Sequence, residues 1–97
     1  MNSPTRNEIV DRLRQYMEKN FPLFSLQDVS MSDDLIEKGI IDSLGYLEII
    51  NYVEEEFDIA VEDSEVTPEN FQSIDTIASY IQNRLSRKES EVPDPKA

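Results

Sequence analysis

The apolar residues of this chain recur at intervals of three and four, which is the spacing of one face of an α-helix. Thr5 and Glu8 have the S/T-x-x-E spacing of a capping box, so a first helix should begin near Thr5. It should end at Asn20, because the residue before a proline, here Pro22, avoids the α region. The apolar stripe of this helix is Ile9, Val10, Leu13, Tyr16 and Met17.

A second helix is predicted from Ser43 to Phe57, with Asp42 in the N-cap position. At about 100° per residue, one arc of this helix is apolar and should face the core: Tyr46, Leu47, Ile49, Ile50, Val53 and Phe57. The opposite arc holds Leu44, Glu48, Asn51 and Glu55. A leucine among carboxylates beside a helix N-terminus is typical of a docking site, because the apolar anchor supplies affinity and the charges supply steering.

Two further helices are expected in the second half of the chain. Thr67-Pro68 is a cap followed by proline at the first helical position, which predicts a short third helix. The fourth should begin after Ser73, with the stripe Ile74, Ile77, Ala78, Ile81 and Leu85. The pattern therefore predicts an all-α four-helix bundle of three longer helices and one short one. Residues 1–88 should form one domain, and residues 89–97, which are polar and proline-containing, should form a disordered tail.

The connection between the first two helices, residues 21–41, is long for a compact domain, and such loops are usually functional or self-packed. Asp33 to Lys38 should form one helical turn, closed by Gly39 in a left-handed conformation. Apolar side chains recur along the connection and should hold it against the bundle: Phe21, Leu23, Phe24, Leu26, Val29 and Leu35.

Charge and composition narrow the possible functions. The 97-residue chain has a formal net charge of −12, and the stretch between Lys38 and Arg84 contains eleven acidic residues and no Lys or Arg. Such a surface repels nucleic acid and anionic lipid, and it attracts proteins with basic patches. No signal peptide is recognisable and no apolar run approaches the length of a membrane span, so a cytoplasmic protein is expected. We also expect a monomer.

The chain has no Cys and no His. This composition excludes disulfides, thiol and imidazole catalysis, and the usual zinc sites. Any thiol chemistry must therefore come from a group attached to the chain after synthesis.

The segment Gly39-Ile40-Ile41-Asp42-Ser43-Leu44 resembles the G-x-x-D-S-L motif of acyl and peptidyl carrier proteins. The Glu-rich end of the second helix, the four-helix layout and the long apolar loop also match that family, over roughly residues 5 to 86. The resemblance implies that Ser43 carries a 4'-phosphopantetheine arm, transferred from coenzyme A by a phosphopantetheinyl transferase. The terminal thiol of the arm would hold acyl or aminoacyl intermediates as thioesters, and the chain itself would not be an enzyme.

The resemblance also implies partners and roles for individual residues. An acyl- or aminoacyl-activating ligase would load the arm, and a downstream synthase or transferase would unload it. The transferase would read Asp42 and Leu44, with Asp42 helping to hold its magnesium ion. Partner contact would fall on Leu44, Glu48, Asn51 and Glu55.

Three positions depart from carriers of housekeeping fatty acid synthesis. Gly45 replaces an acidic residue, which removes one charge from the partner face; Asn51 replaces a long apolar residue; and Tyr52 replaces a small one, which would narrow a space for an alkyl chain. These departures favour a specialised carrier that serves an aminoacyl, peptidyl, polyketide or modified-lipid pathway.

Three other classes of protein compete with this interpretation. In an acidic helical interaction module without a prosthetic group, Ser43 would be only a helix-terminal cap. A calcium-binding protein is disfavoured, because the segment from Asp63 to Pro68 has proline where an EF-hand loop needs glycine. An enzyme is disfavoured as well. Without His or Cys, a serine nucleophile would need a lysine or a pair of carboxylates to activate it; the one lysine near Ser43 is Lys38, and the carboxylates show no sign of lying in a pocket.

Overall fold

The computed structural model describes residues 4–21 and 29–90. Those residues form four α-helices and no strand: α1 (Arg6–Asn20), α2 (Ser43–Phe57), α3 (Pro68–Phe71) and α4 (Ile74–Ser90). A 3-10 helix (Asp63–Glu65) precedes α3. The prediction of an all-α bundle with three longer helices and one short one is confirmed.

Side chains at the helix ends account for these bounds. The Thr5 hydroxyl accepts a hydrogen bond from the Glu8 amide, and the Glu8 carboxylate accepts one from the Thr5 amide at 2.8 Å, so the predicted capping box is present. At the start of α4, the Ser73 hydroxyl accepts a hydrogen bond from the Thr76 amide at 3.1 Å. Each of these pairs satisfies a backbone donor that has no partner within its helix.

The core lies where α4 packs against the other three helices. Its most completely buried side chains are Ile9, Leu13, Met17, Leu35, Ile49, Val53, Phe71, Ile74, Ile77 and Ile81. The predicted inner face of α2 is correct at Ile49, Ile50, Val53 and Phe57. It is wrong at Leu47, which is 54% exposed, because this edge of α2 faces a groove beside the short helix α3.

The connection between α1 and α2 is held to the bundle by both backbone and side chains. Phe21, Val29 and Leu35 are buried, as predicted, whereas Pro22, Leu23, Phe24 and Leu26 lie outside the described residues. The Leu35 amide donates to the carbonyl of Gln72 at 2.8 Å, which ties the loop to the end of α3. Gly39 has φ +74°, so the predicted left-handed closure of the turn is confirmed.

The C-terminal helix is longer than the pattern of apolar residues indicates. Helix α4 runs to Ser90, two residues into the range 89–97 for which a tail is predicted. Residues 91–97 lie outside the described part of the chain, where the tail stays a prediction. Among the described helices, none is both long enough and apolar enough to cross a bilayer.

Candidate functional site

Ser43 is the first residue of α2 and its side chain is exposed. The preceding Asp42 is the N-cap, as predicted: its Oδ1 accepts a hydrogen bond from the Gly45 amide at 2.9 Å, and its carbonyl accepts one from the Tyr46 amide. The cap holds the first turn of α2 in place. A phosphate attached to Ser43 would meet the positive end of the helix macrodipole, a contribution of about 0.3–1 kcal/mol.

Gly45 lies under the loop, and not on the partner face as the sequence interpretation has it. It is buried, and a Cβ placed on it would lie 2.8 Å from Cε1 of Phe21 and 3.2 Å from Cβ of Ile41. Real Cβ atoms essentially never come as close as the first distance. The glycine therefore lets the end of α1 pack against the first turn of α2, directly beside Ser43.

Two grooves meet at Ser43. One, of about 580 Å³, is lined by Ser43 together with residues of the loop, α2 and α3: Asp34, Ile36, Glu37, Tyr46, Leu47, Val66, Pro68 and Gln72. We call it the α2–α3 groove. The other, also of about 580 Å³, is lined by Ser43 and residues 21, 36 and 39–42. A group attached to Ser43 thus borders both grooves.

Three large apolar side chains are exposed in the described part of the chain: Ile36 (48%), Leu44 (70%) and Leu47 (54%). Ile36 and Leu47 line the α2–α3 groove with Ser43, and Leu44 is the next residue after that serine. Exposed apolar side chains gathered around one position mark an interaction site better than scattered ones do. Sequence reasoning identified Leu44 but missed Leu47 and Ile36. Leu47 sits at the edge of the apolar arc of α2, and that position was the available signal.

Leu44, Glu48, Asn51 and Glu55 are all exposed. Their spacing along α2 places them on one face of the helix, to one side of Ser43. The last turn of α2 contains no basic residue, and of its three glutamates Glu55 lies on this face, whereas Glu54 accepts a hydrogen bond from the Val61 amide and Glu56 pairs with Arg12 of α1. This face therefore presents an apolar residue near the serine and negative charge further along the helix.

Tyr52 is not among the residues that line the α2–α3 groove, and its side chain packs towards α1; that it narrows a space for an alkyl chain stays a prediction. Its ring stacks on that of Tyr16, with centroids 4.0 Å apart and planes at 15°. Its hydroxyl donates to the carbonyl of Arg12 at 3.2 Å. Burial raises the pKa of Tyr52 to about 12, so it stays a neutral donor at physiological pH.

A cluster of polar side chains joins α4 to the 3-10 helix, away from Ser43. The Tyr80 hydroxyl donates to Glu65 Oε1 at 2.7 Å, and Arg84 pairs with the same oxygen at 3.3 Å. The hydrogen bond from Tyr80, with help from the Arg84 charge, lowers the pKa of Glu65. This cluster fixes the segment leading into α3, which forms one wall of the α2–α3 groove.

Comparison with known families gives a match to the phosphopantetheine attachment site family over residues 11–81. Aminoacyl carrier protein 1 of Bradyrhizobium diazoefficiens is 32% identical over 84 residues, which cover 87% of this chain and 89% of that protein. Aminoacyl carrier protein 2 of the same organism is 31% identical over 80 residues, covering 82% and 85%.

Solved structures give a concordant result. A crystal structure of the Bradyrhizobium japonicum glycine:[carrier protein] ligase complexed with glycylated carrier protein matches with a TM-score of 0.59 and 34% identity, over 78% of this chain and 96% of the matched one. The structure of KstB-PCP in its apo form matches with a TM-score of 0.63 and 32% identity, over 81% and 88%.

Proposed function

We propose, because this chain belongs to the phosphopantetheine attachment site family of carrier proteins, that Ser43 bears a 4'-phosphopantetheine arm. The group that this arm carries is proposed to be an aminoacyl group. The family match spans residues 11–81, and the aminoacyl carrier relatives align over more than four fifths of the chain. Proteins of this class carry intermediates and do not catalyse their conversion, so the prediction that the chain is not an enzyme is confirmed.

The exposed position of Ser43 supports it as the attachment residue. It stands at the start of α2, beside the capping residue Asp42, where a second protein can reach its hydroxyl. In the attachment reaction Ser43 Oγ forms a bond to the phosphorus next to the pantetheine of coenzyme A. The pyrophosphate bond breaks, adenosine bisphosphate leaves, and the serine proton passes to a base of the transferase.

The aminoacyl assignment rests on the relatives. Two are named aminoacyl carrier proteins, and a matched structure shows a glycylated carrier with its ligase. By this reasoning an aminoacyl-activating ligase loads the thiol of the arm, and a downstream synthase or transferase removes the aminoacyl group. The exposed Leu44, Glu48, Asn51 and Glu55 are the residues we assign to these partners. A flexible tether serves several partners in turn because it raises the effective concentration of the cargo at each.

Intact mass spectrometry tests the attachment. Incubation with coenzyme A and a broad-specificity phosphopantetheinyl transferase should add one phosphopantetheine to the wild-type chain and none to Ser43→Ala. Ser64→Ala is the matched control, since Ser64 is also exposed but lies in the 3-10 helix. A folded Ser43→Ala chain that still gains the mass would overturn the assignment.

The cargo is identified on protein purified from its native host with the thioester intact. An added mass equal to phosphopantetheine plus an amino acid residue supports the aminoacyl assignment, and a fatty or ketoacyl mass contradicts it. If no phosphopantetheine is found in a host whose transferase is active, the chain is instead an acidic interaction module in which Ser43 only begins a helix.

A further inference from the structure

The basic residues of this acidic chain are unevenly placed. Four of the nine lie on α1, whereas none lies in α2, the 3-10 helix or α3. Those four are Arg6, Arg12, Arg14 and Lys19. Arg12 pairs with Glu56 of α2 at 3.2 Å. Lys19 is exposed, and within the described part of the chain no ion pair engages its ammonium group, so its charge is available to a second protein.

Lys19 lines a cleft of about 410 Å³ between α1 and α2, which we call the α1–α2 cleft. The other lining side chains are polar or charged and include the stacked rings of Tyr16 and Tyr52. The Tyr16 hydroxyl donates to the carbonyl of Glu48 at 3.3 Å, and the Tyr52 hydroxyl donates to that of Arg12 at 3.2 Å. Each bond crosses from one helix to the other, so the cleft is formed before any partner arrives.

The α1–α2 cleft borders the face of α2 that we assign to partners. Glu48, Tyr52 and Glu56 follow one another at intervals of four, so they form one row along the helix. Tyr52 and Glu56 line the cleft, whereas Glu48 belongs to the partner face. Burial and, to a smaller extent, the charge of Glu48 raise the pKa of Tyr16 in the cleft. The acidic face and the cation on α1 are therefore neighbours on one surface.

We propose that the partner surface of this carrier continues from α2 onto α1, and that it fits a ligase that presents a carboxylate to Lys19 and basic side chains to Glu48 and Glu55. This proposal rests on the proposed function, because the ligase is the enzyme that loads the arm. Charge complementarity identifies the occupant: the acids of α2 select a basic surface, and Lys19 selects an acidic group at its edge.

The placement of the two signs determines how the ligase is oriented. Lys19 lies at the Ser43 end of the surface, because Phe21, two residues later, packs against Gly45 in the first turn of α2. Glu55 lies near the opposite end of α2. A ligase turned end for end would bring its carboxylate towards Glu55 and its basic side chains towards Lys19. Both encounters are repulsive, so only one orientation is favoured.

The experiment uses the ligase that aminoacylates the holo carrier, purified from the native host by that activity. Lys19→Gln should raise the KM for the carrier by about two- to fivefold and leave kcat unchanged. Lys19→Glu should raise it further, because attraction becomes repulsion, and Lys19→Arg should restore most of the affinity. Arg87→Gln is the matched control, since Arg87 is also exposed but lies on α4, and its KM should match the wild type.

Zero-length cross-linking locates the contact. A water-soluble carbodiimide activates a carboxylate of the ligase, Lys19 Nζ attacks the activated carbonyl, an amide bond forms, and the carbodiimide leaves as its urea. Peptide mapping should find Lys19 joined to an Asp or Glu of the ligase. Lys38 pairs with Asp33 in the loop and should be cross-linked much less. Lys19→Arg should remove the cross-link although it keeps the charge.

A structural role for Lys19 makes a different prediction. Lys19 stands in the last turn of α1, where a positive charge interacts favourably with the helix macrodipole. If that were its only role, Lys19→Gln would lower the midpoint of urea unfolding and leave KM unchanged.

An unchanged KM for Lys19→Gln would overturn the proposal. An equal rise for Arg87→Gln, or cross-links at Lys38 and none at Lys19, would overturn it as well. Each of these results leaves the arm at Ser43 intact. If the holo carrier accepts no amino acid from any ligase of its host, the proposed function fails instead.

Discussion

The ring of Phe21 lies so close to Gly45 that a Cβ on the glycine would stand 2.8 Å from Phe21 Cε1. Gly45 belongs to the first turn of α2, and Phe21 is the C-cap of α1. The contact therefore positions the helix that begins with Ser43 directly against the end of the first helix. A residue that looks unfavourable for a helix is required here by packing.

Gly45→Ala should destabilise the protein, although alanine is the better helix former. Propensity alone predicts a gain of about 0.5–1 kcal/mol, whereas forcing a methyl group into a filled space costs about 1–3 kcal/mol. We expect the second effect to dominate, so the free energy of unfolding measured by urea titration should fall.

Gly39 provides the contrast, because there the stability lost on adding a side chain comes from the backbone conformation and not from packing. A Cβ there meets no atom within 4 Å, but φ is +74°. Gly39→Ala should cost about 1–2 kcal/mol, and Gly39→Asn less, since asparagine tolerates the left-handed region. At Gly45 the order should reverse, with asparagine worse than alanine. The same ranking at both positions would contradict this distinction.

Substitutions of Asp42 should separate its role as a cap from its role as a charge. Asp42→Ala removes the acceptor for the Gly45 amide and should lower the free energy of unfolding by about 0.5–2 kcal/mol. Asp42→Asn keeps an acceptor and should be nearly as stable as the wild type. Both should be modified slowly if the transferase reads the carboxylate, and unimpaired loading of Asp42→Asn would show that Asp42 is only a cap.

Association with the loading ligase should slow as salt is raised. The face that begins at Leu44 carries Glu48 and Glu55, and exposed charges steer an encounter that ions screen. The association rate constant, measured by stopped flow, should fall by about tenfold between low and high salt. A rate constant independent of salt would remove the steering role.

Charge neutralisation locates that steering on α2. The double variant Glu48→Gln/Glu55→Gln should associate more slowly at low salt and show a shallower salt dependence than the wild type. Glu18→Gln is a suitable control, since Glu18 is exposed but lies on α1. An equal effect from the control would mean that net charge matters and its position does not.

The Tyr80–Glu65 hydrogen bond predicts a pH effect whose sign follows from the pKa of Glu65. That pKa is lowered in the folded state, chiefly by the Tyr80 hydroxyl, from a reference value of 4.5. The bond therefore stabilises the fold above the unfolded-state pKa, and its contribution is lost as the pH falls through the lower folded-state value.

Tyr80→Phe isolates this effect from the general relief of acidic repulsion at low pH. The variant should raise the pKa of Glu65 towards 4.5, which can be followed by NMR titration. Its deficit in the free energy of unfolding relative to wild type should shrink between about pH 5 and pH 3. Tyr46→Phe serves as the control, and a Tyr80→Phe deficit that does not change with pH would contradict the linkage.

The helix bounds were predictable because local chemistry determines them. The Thr5–Glu8 capping box, the Asp42 cap and proline at the first position of α3 each satisfy or remove backbone donors within a few residues of sequence. None of these features depends on how the helices pack. The prediction of α2 as Ser43 to Phe57 was accordingly correct at both ends.

The errors concern side chains whose surroundings depend on distant segments. A helical wheel places Leu47 on the apolar arc, but α3 is only four residues long and leaves that edge uncovered. Gly45 is expected on the surface because the local sequence gives no indication that the Phe21 ring packs against it. The stacking partner of Tyr52 is Tyr16, 36 residues earlier in the chain, and the local pattern of α2 gives no indication of that contact.

The stacked pair of Tyr16 and Tyr52 also gives this protein a built-in optical reporter. The chain has four tyrosines and no tryptophan, so the near-ultraviolet circular dichroism arises chiefly from phenol rings. Two rings 4.0 Å apart couple their electronic transitions, and the coupling vanishes if α1 separates from α2. Departure of the first helix from the second is therefore visible without a dye, an isotope or an added chromophore.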